Sequence, residues 1–216
     1  MKNLLLSLSL LVFAPLLAHA QASGETFIEG ENYDLITPPV RTANPDKIEV
    51  VEFFWYGCLH CYNFEPLVGT WKKTLPADVE FHGSPAMWNE VMELHARAFY
   101  AAEVLGVSDK MNLVLFQAMN VDNKRLASEA EIEKLFVANG VEADDFAKVF
   151  KSFGVTSQVN QAAARARAAK ITGTPALMVN GKYHISIRKA GSQAGMLKVA
   201  DFLIAKEQAA AAAAAQ

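Results

Sequence analysis

Cysteine is scarce in this chain: two residues in 216. That excludes a scaffold stapled by disulfides, and a chain of this length buries enough core to need none. Positive charge is not in excess. Lys and Arg total 20 against 23 Asp and Glu, a formal net charge of −3, and a nucleic-acid binder would carry a basic face. Charge as a whole is sparse, at 20% of residues, while 52% are hydrophobic and 13 are Phe. Such a composition folds and does not describe a disordered chain. After the N-terminal segment, no stretch is long and apolar enough to span a bilayer. The length allows one domain, or one domain carrying a large insert.

The N-terminal segment reads as an export address. Lys2 supplies a positive start, residues 4–17 are apolar apart from Ser7, Ser9 and Pro15, and Ala18-His19-Ala20 gives the small-x-small pattern a signal peptidase cleaves. The run falls short of the roughly 20 residues a membrane-spanning helix needs, which disfavours a retained anchor. A cleaved signal peptide over residues 1–20 is therefore expected, with an exported mature chain starting at Gln21 in a compartment where disulfides persist.

The rest reads as strand-rich ends around a helical middle. Residues 33–36 suggest a short strand stopped by Pro38-Pro39. Residues 48–56 (IEVVEFFWY) are nearly continuous β-branched and aromatic sequence, as in a central strand covered on both faces. Gly57 ends it, and helical character follows over residues 58–74, with a kink or local break expected at Pro66. Residues 79–83 predict another strand. From about 89 to 169, apolar and charged residues recur at helical spacing, which predicts four or five helices. Ser128, with Glu131 as a capping box, and Asp144-Asp145 are the expected helix starts. A strand over 175–179, the Asn180-Gly181 turn and a return strand over 182–187 predict a hairpin, and a last helix starts near Gln193. The seven alanines at 209–215 have nothing they must pack against, so fraying is expected there. The four Met at 87, 92, 111 and 119 suit gap filling among helices, and Arg165, Arg167 and Lys170 suit a solvated helix face. Trp55 and Trp88 suit either the core or the surface around the cysteines.

The chemistry is concentrated in Cys58-Leu59-His60-Cys61. Both cysteines fall at the start of the helix that follows the central strand, and the i, i+3 spacing puts the two sulfurs on one face, within reach of a tight disulfide. Closing four residues stabilises by only about 2 kcal/mol, so a bridge with a purely structural task would more usefully join distant segments. Unpaired amides and the positive dipole end favour a thiolate on Cys58, and His60 adds to this when it is close or protonated. Cys61, one turn further on, is the expected resolving thiol. Zinc would need two more ligands, and His82, His95 and His184 show no ligand spacing; covalent haem would need a His where Tyr62 stands. No metal is expected.

Residues 52–65 (EFFWYGCLHCYNFE), the export signal, the Gly173-Thr174-Pro175 step and the helical block between them together resemble the DsbA family of thiol:disulfide oxidoreductases. The resemblance covers nearly all of the mature chain. It implies an α/β thioredoxin-like fold with an inserted all-helical domain. The expected division is 28–87 and 169–208 for the two parts of the thioredoxin-like domain, 88–168 for the insert and 209–216 for an alanine-rich tail. It also implies Cys58 as nucleophile, Cys61 as resolving cysteine, His60 between them, and Glu52 as an acid beneath the site that relays a proton to or from Cys61. Glu65 matches a second acid of the family. Thr174-Pro175, expected in cis, and Leu59 are the expected substrate-binding positions, Thr174 through its backbone.

Two positions depart from the familiar pattern: Leu59-His60 stands where Pro-His is usual, and Thr174 where Val is common. Both border the sulfurs and leave open a weaker oxidant, or a reductase or isomerase. The implied activity is oxidation of reduced, unfolded or folding exported proteins in the periplasm through a mixed disulfide. A membrane oxidase resembling DsbB would reoxidise the pair. No cofactor beyond the cysteine pair and a monomeric state are expected. A non-enzymatic binding module using the same surface is the alternative from another class.

Overall fold

The structure is a computed structural model and describes residues 26–214. The expected signal peptide over residues 1–20 lies outside the described residues. Five strands form one mixed sheet: β1 (Asp34–Leu35), β2 (Ile48–Phe54), β3 (Val79–Pro85), β4 (Ala176–Val179) and β5 (Tyr183–Ser186), in the order β1-β5-β4-β2-β3. β2 pairs parallel with β3 and antiparallel with β4, and the other pairs are antiparallel. Every residue of β2 is buried, as its continuous apolar run requires of a strand covered on both faces.

The parallel β2–β3 pair is joined through helix α1 (Leu59–Trp71) and a short 3-10 turn over Lys72–Thr74. Pro66 lies inside α1, and the helix continues through it. The expected break is therefore confined to the hydrogen bond that proline cannot donate. Five helices fill the gap between β3 and β4: α2 (Glu90–Val104), α3 (Ser108–Asn120), α4 (Glu129–Val137), α5 (Ala143–Phe150) and α6 (Phe153–Ala168). Their starts follow local chemistry. Asn89, Ser128 and Ser152 each accept a hydrogen bond from the amide three residues on. Glu131 Oε2 reaches back to the amide of Ala127, one residue before the expected capping-box partner. Glu142 holds the N-cap position of α5 without a capping side-chain hydrogen bond, and Asp144-Asp145 sit inside the first turn, where they meet the positive dipole end.

After β5 come the short α7 (Ile187–Ala190) and the long α8 (Gln193–Ala214). The fraying expected of the alanines is not found: α8 runs through them to Ala214, exposed but helical, because alanine has the strongest intrinsic helix preference. Glu207 of α8 reaches the hairpin and accepts from Asn180 Nδ2 (2.5 Å), Lys182 Nζ (2.6 Å) and Tyr183 OH (2.8 Å). The turn requires glycine at 181, where φ is +66° and a Cβ would stand 1.9 Å from the Val40 carbonyl oxygen.

Two apolar cores meet at the end of β2. One packs the sheet against α1 and α8, through Val50, Phe64, Val68, Leu177 and Leu203. The other lies within the helical insert, yet it includes Phe54, Tyr56 and Cys61 from the sheet side.

Candidate functional site

Cys58 is the N-cap of α1 and Cys61 lies within its first turn. Both are free thiols here, Cys58 half-buried and Cys61 buried. The loop that delivers them is tight. The amide of Cys58 donates to the Trp55 carbonyl (2.9 Å), and the Cys58 carbonyl accepts from the Tyr62 amide (3.0 Å). The Thr174 carbonyl lies 3.4 Å from Cys58 Sγ, which brings the expected substrate-binding step against the expected nucleophile. The Thr174–Pro175 bond is cis, as expected, and Thr37–Pro38 is cis as well.

The two thiols differ sharply in acidity. The Cys58 thiol is lowered to about 5, first by a hydrogen bond from the Cys61 side chain. Burial opposes this, and the Thr174 side chain and the backbone amides of Cys61 and His60 add to the lowering. At pH 7 a thiol of that acidity is about 99% thiolate, against about 3% for an ordinary one. Cys61 is pushed the other way, by burial first and then by its hydrogen bond to Cys58 and the charge there. His60 contributes its backbone amide, whereas sequence reasoning assigned that help to the imidazole. The side chain is exposed, and the His60 carbonyl accepts from Gln193 Nε2 of α8 at 2.5 Å. Leu59 is also exposed, at 56%, beside the nucleophile.

Glu52 sits in the middle of β2, opposite Gly83 and Leu177, and is buried. Its Oε1 has no hydrogen-bond partner. Burial, then the neighbouring Glu65, pushes its carboxyl well above the usual range; Lys72 partly offsets this and the charge of Cys58 adds to it. Glu52, Glu65 and Lys72 line one groove of about 460 Å³ together with Asn112 of α3. Glu65 is raised by burial, against the pull of Lys72 and a hydrogen bond from Asn112 Nδ2 (2.8 Å). Asn112 Oδ1 in turn accepts from Tyr56 OH (3.1 Å), and Asn120 Nδ2 donates to the Tyr56 carbonyl (2.7 Å). Asn112 and Asn120 escaped sequence reasoning, since an Asn on an amphipathic helix carries no signal of what it faces. Trp55 is half-buried, while Trp88 is 54% exposed. No cluster of His, Cys, Asp or Glu suited to a metal ion occurs among the described residues.

Comparison with known families matches residues 68–195 to the DSBA-like thioredoxin domain. That match begins beyond the cysteine pair, but full-length relatives include it. The thiol:disulfide interchange protein DsbA of Pseudomonas aeruginosa is 39% identical over 211 residues, which cover 98% of this chain and 99% of that protein. The protein of the same name from Pseudomonas syringae is 40% identical over 214 residues, covering 99% and 100%. Among solved structures, Pseudomonas aeruginosa DsbA superposes with a TM-score of 0.83 at 39% identity, over 86% of this chain and 96% of that one. The oxidoreductase DsbA of Xylella fastidiosa gives 0.78 at 31% identity, over 83% and 97%. The fold is thus thioredoxin-like with a helical insert, and the chain belongs to the DsbA family of thiol:disulfide oxidoreductases.

Proposed function

We propose that Cys58 and Cys61 are the redox pair through which this chain oxidises reduced proteins exported to the periplasm. The observation that carries this reading is the placement of the pair: Cys58 half-buried at the N-cap of α1, 3.4 Å from the Thr174 carbonyl oxygen, with Cys61 buried in the first turn behind it. In the oxidised form, a substrate thiolate attacks Cys58 Sγ. The Cys58–Cys61 bond breaks, a mixed disulfide forms, and Cys61 leaves with the electron pair. Its high proton affinity requires a proton at once, and Glu52, a buried acid whose hold on its proton is strengthened by burial and whose Oε1 is unpartnered, is the proposed donor. A second substrate thiolate then attacks the substrate sulfur of the mixed disulfide and expels Cys58 as a thiolate. The substrate has lost two electrons and two protons. Of these two protons one reloads Glu52, replacing the proton it gave to Cys61, and the other passes to solvent.

Cys58 is a good leaving group because the Cys61 thiol first, then the Thr174 side chain and the amides at the helix start, stabilise its thiolate. The same stabilisation favours the reduced form and makes the disulfide an oxidant. The Thr174 side chain adds to the lowering of the Cys58 thiol. Thr174, Pro175 and Leu59 are the proposed docking positions for an extended substrate segment, His60 lends its amide to the thiolate, and no cofactor is needed beyond the cysteines. A DsbB-like membrane oxidase would accept the electron pair and restore the disulfide. The chain would act as a monomer.

The test is the equilibrium of the purified protein with reduced and oxidised glutathione. A strongly oxidising constant is expected, and a constant as reducing as that of thioredoxin would overturn the oxidase reading. Cys58→Ser separates catalysis from binding: client folding that survives the substitution would favour a binding module.

A further inference from the structure

His95 lies on α2 of the insert and is 1% exposed, yet both its ring nitrogens are engaged. Trp55 Nε1 donates to His95 Nδ1 at 2.9 Å, and His95 Nε2 is 3.1 Å from the Leu126 carbonyl oxygen. The first bond fixes the second. An indole N–H can only donate, so Nδ1 must be unprotonated, and Nε2 must carry the hydrogen and donate to Leu126. Burial holds the imidazole below its ordinary range and so keeps it in the neutral form that this arrangement needs. The two rings also lie nearly parallel, with centroids 6.2 Å apart.

Trp55 is the last residue before the turn that carries the cysteines. Its indole packs on Gly57 so closely that a Cβ there would stand 2.4 Å from the ring. Its carbonyl accepts the Cys58 amide at 2.9 Å, and its own amide favours the Cys61 thiolate. On its other side the imidazole grips a residue in an unusual conformation. Leu126 is buried with φ at +48°, a left-handed setting that a bulky side chain rarely takes.

We propose that His95 is a positioning residue of the redox loop: by accepting the Trp55 indole and donating to Leu126 it locks the backbone around Cys58 to the helical insert. The amides of His60 and Cys61 are then held ready for the Cys58 thiolate and need not be reoriented when the disulfide opens. Loosening Trp55 leaves these donors less well placed, so the thiolate loses stabilisation and the protein becomes a weaker oxidant. This rests on the redox reading of the cysteine pair.

The experiment compares His95→Phe, which keeps a ring but no acceptor, with His95→Asn, whose Oδ1 can stand where Nδ1 stood, and with Trp55→Phe, which removes the donor. Two quantities are read in each: the thiolate absorbance of Cys58 against pH, and the equilibrium with glutathione. His95→Phe is expected to move the thiol titration upward and the equilibrium at least threefold toward the disulfide. Trp55→Phe should do the same, the double variant should add nothing further, and His95→Asn should stay within twofold of the native chain. A His95→Phe protein within twofold of native on both readouts overturns the proposal, as does a double variant whose effects add. Should the His95 variants fail to fold, Trp55→Phe decides alone, native-like values counting against. A native chain that does not equilibrate with glutathione at all would instead defeat the redox reading; the absorbance titration needs no turnover and still reports on the loop.

Discussion

Cys58 Sγ and the carbonyl oxygen of Thr174 lie 3.4 Å apart, although 116 positions separate the two residues in the chain. The start of α1 and the loop before β4 meet there, at the ends of two antiparallel neighbours, β2 and β4. In the proposed function one segment supplies the nucleophile and the other the backbone a client would run beside. The Thr174 hydroxyl then also bears on the thiolate.

Thr174→Val removes that hydrogen bond and keeps the shape of the side chain. The Cys58 thiol should titrate above its native value of about 5, and the glutathione equilibrium should move a few-fold toward the disulfide. Absorbance of the thiolate against pH checks the first, and product analysis in glutathione buffers the second.

The reduced protein should gain stability from the Cys58 thiolate. The folded value of about 5 lies below the unfolded value of 9.0, so the contribution is complete above about pH 9 and is lost as pH falls toward 5. The gap in melting temperature between the reduced native chain and Cys58→Ser should accordingly close as pH is lowered through this window. Calorimetry at pH 8, 6.5 and 5 measures it, and a constant gap would count against a stabilised thiolate.

Glu52→Gln separates proton transfer from stability. Glu52 is raised in the folded state, so it costs stability once pH rises above the unfolded value of 4.5. The amide should raise the melting temperature by a few degrees at pH 7, from about 1 kcal/mol, and by less at pH 4. Reaction with a reduced peptide should slow at least tenfold at the same time, because Cys61 loses its proposed proton donor. Stopped-flow fluorescence and thermal melts test the two halves of this expectation.

Glu207→Ala leaves the hairpin donors Asn180, Lys182 and Tyr183 without their common acceptor. A loss of about 2 kcal/mol is expected, read as a lower urea midpoint with an unchanged slope. The glutathione equilibrium should not move, since none of these residues touches the sulfurs.

Much of the architecture was legible because it rests on local signals. The run 48–56 reads as a covered strand and the chain forms one over 48–54, Asn180-Gly181 turns the expected hairpin, and the two cysteines stand at the start of the expected helix. Boundaries shifted by a residue or two: the acids at 144 and 145 sit in the first turn of α5, and the helix starts before them at Ala143. The polar surroundings of the pair were not legible. Asn112, Asn120 and His95 fall at ordinary helical positions, and only the docking of α2 and α3 onto the end of β2 gives them Glu65, Tyr56 and Trp55 as partners. The sequence points to the His60 imidazole, which is exposed, whereas its backbone amide bears on the Cys58 thiolate, a group that every residue type but proline brings.

Phe54, Tyr56 and Cys61 belong by sequence to the strand and helix of the sheet, yet their side chains complete the apolar interior of the insert. The two parts therefore cannot be parted cleanly. A chain with α2–α6 excised would expose the side chains of Phe54, Tyr56 and Cys61. Conversely, the isolated helices would be left with a hole where two aromatic rings had been. Grafting the CxxC turn onto another scaffold would carry the reactive atoms and leave behind the surroundings that set them apart.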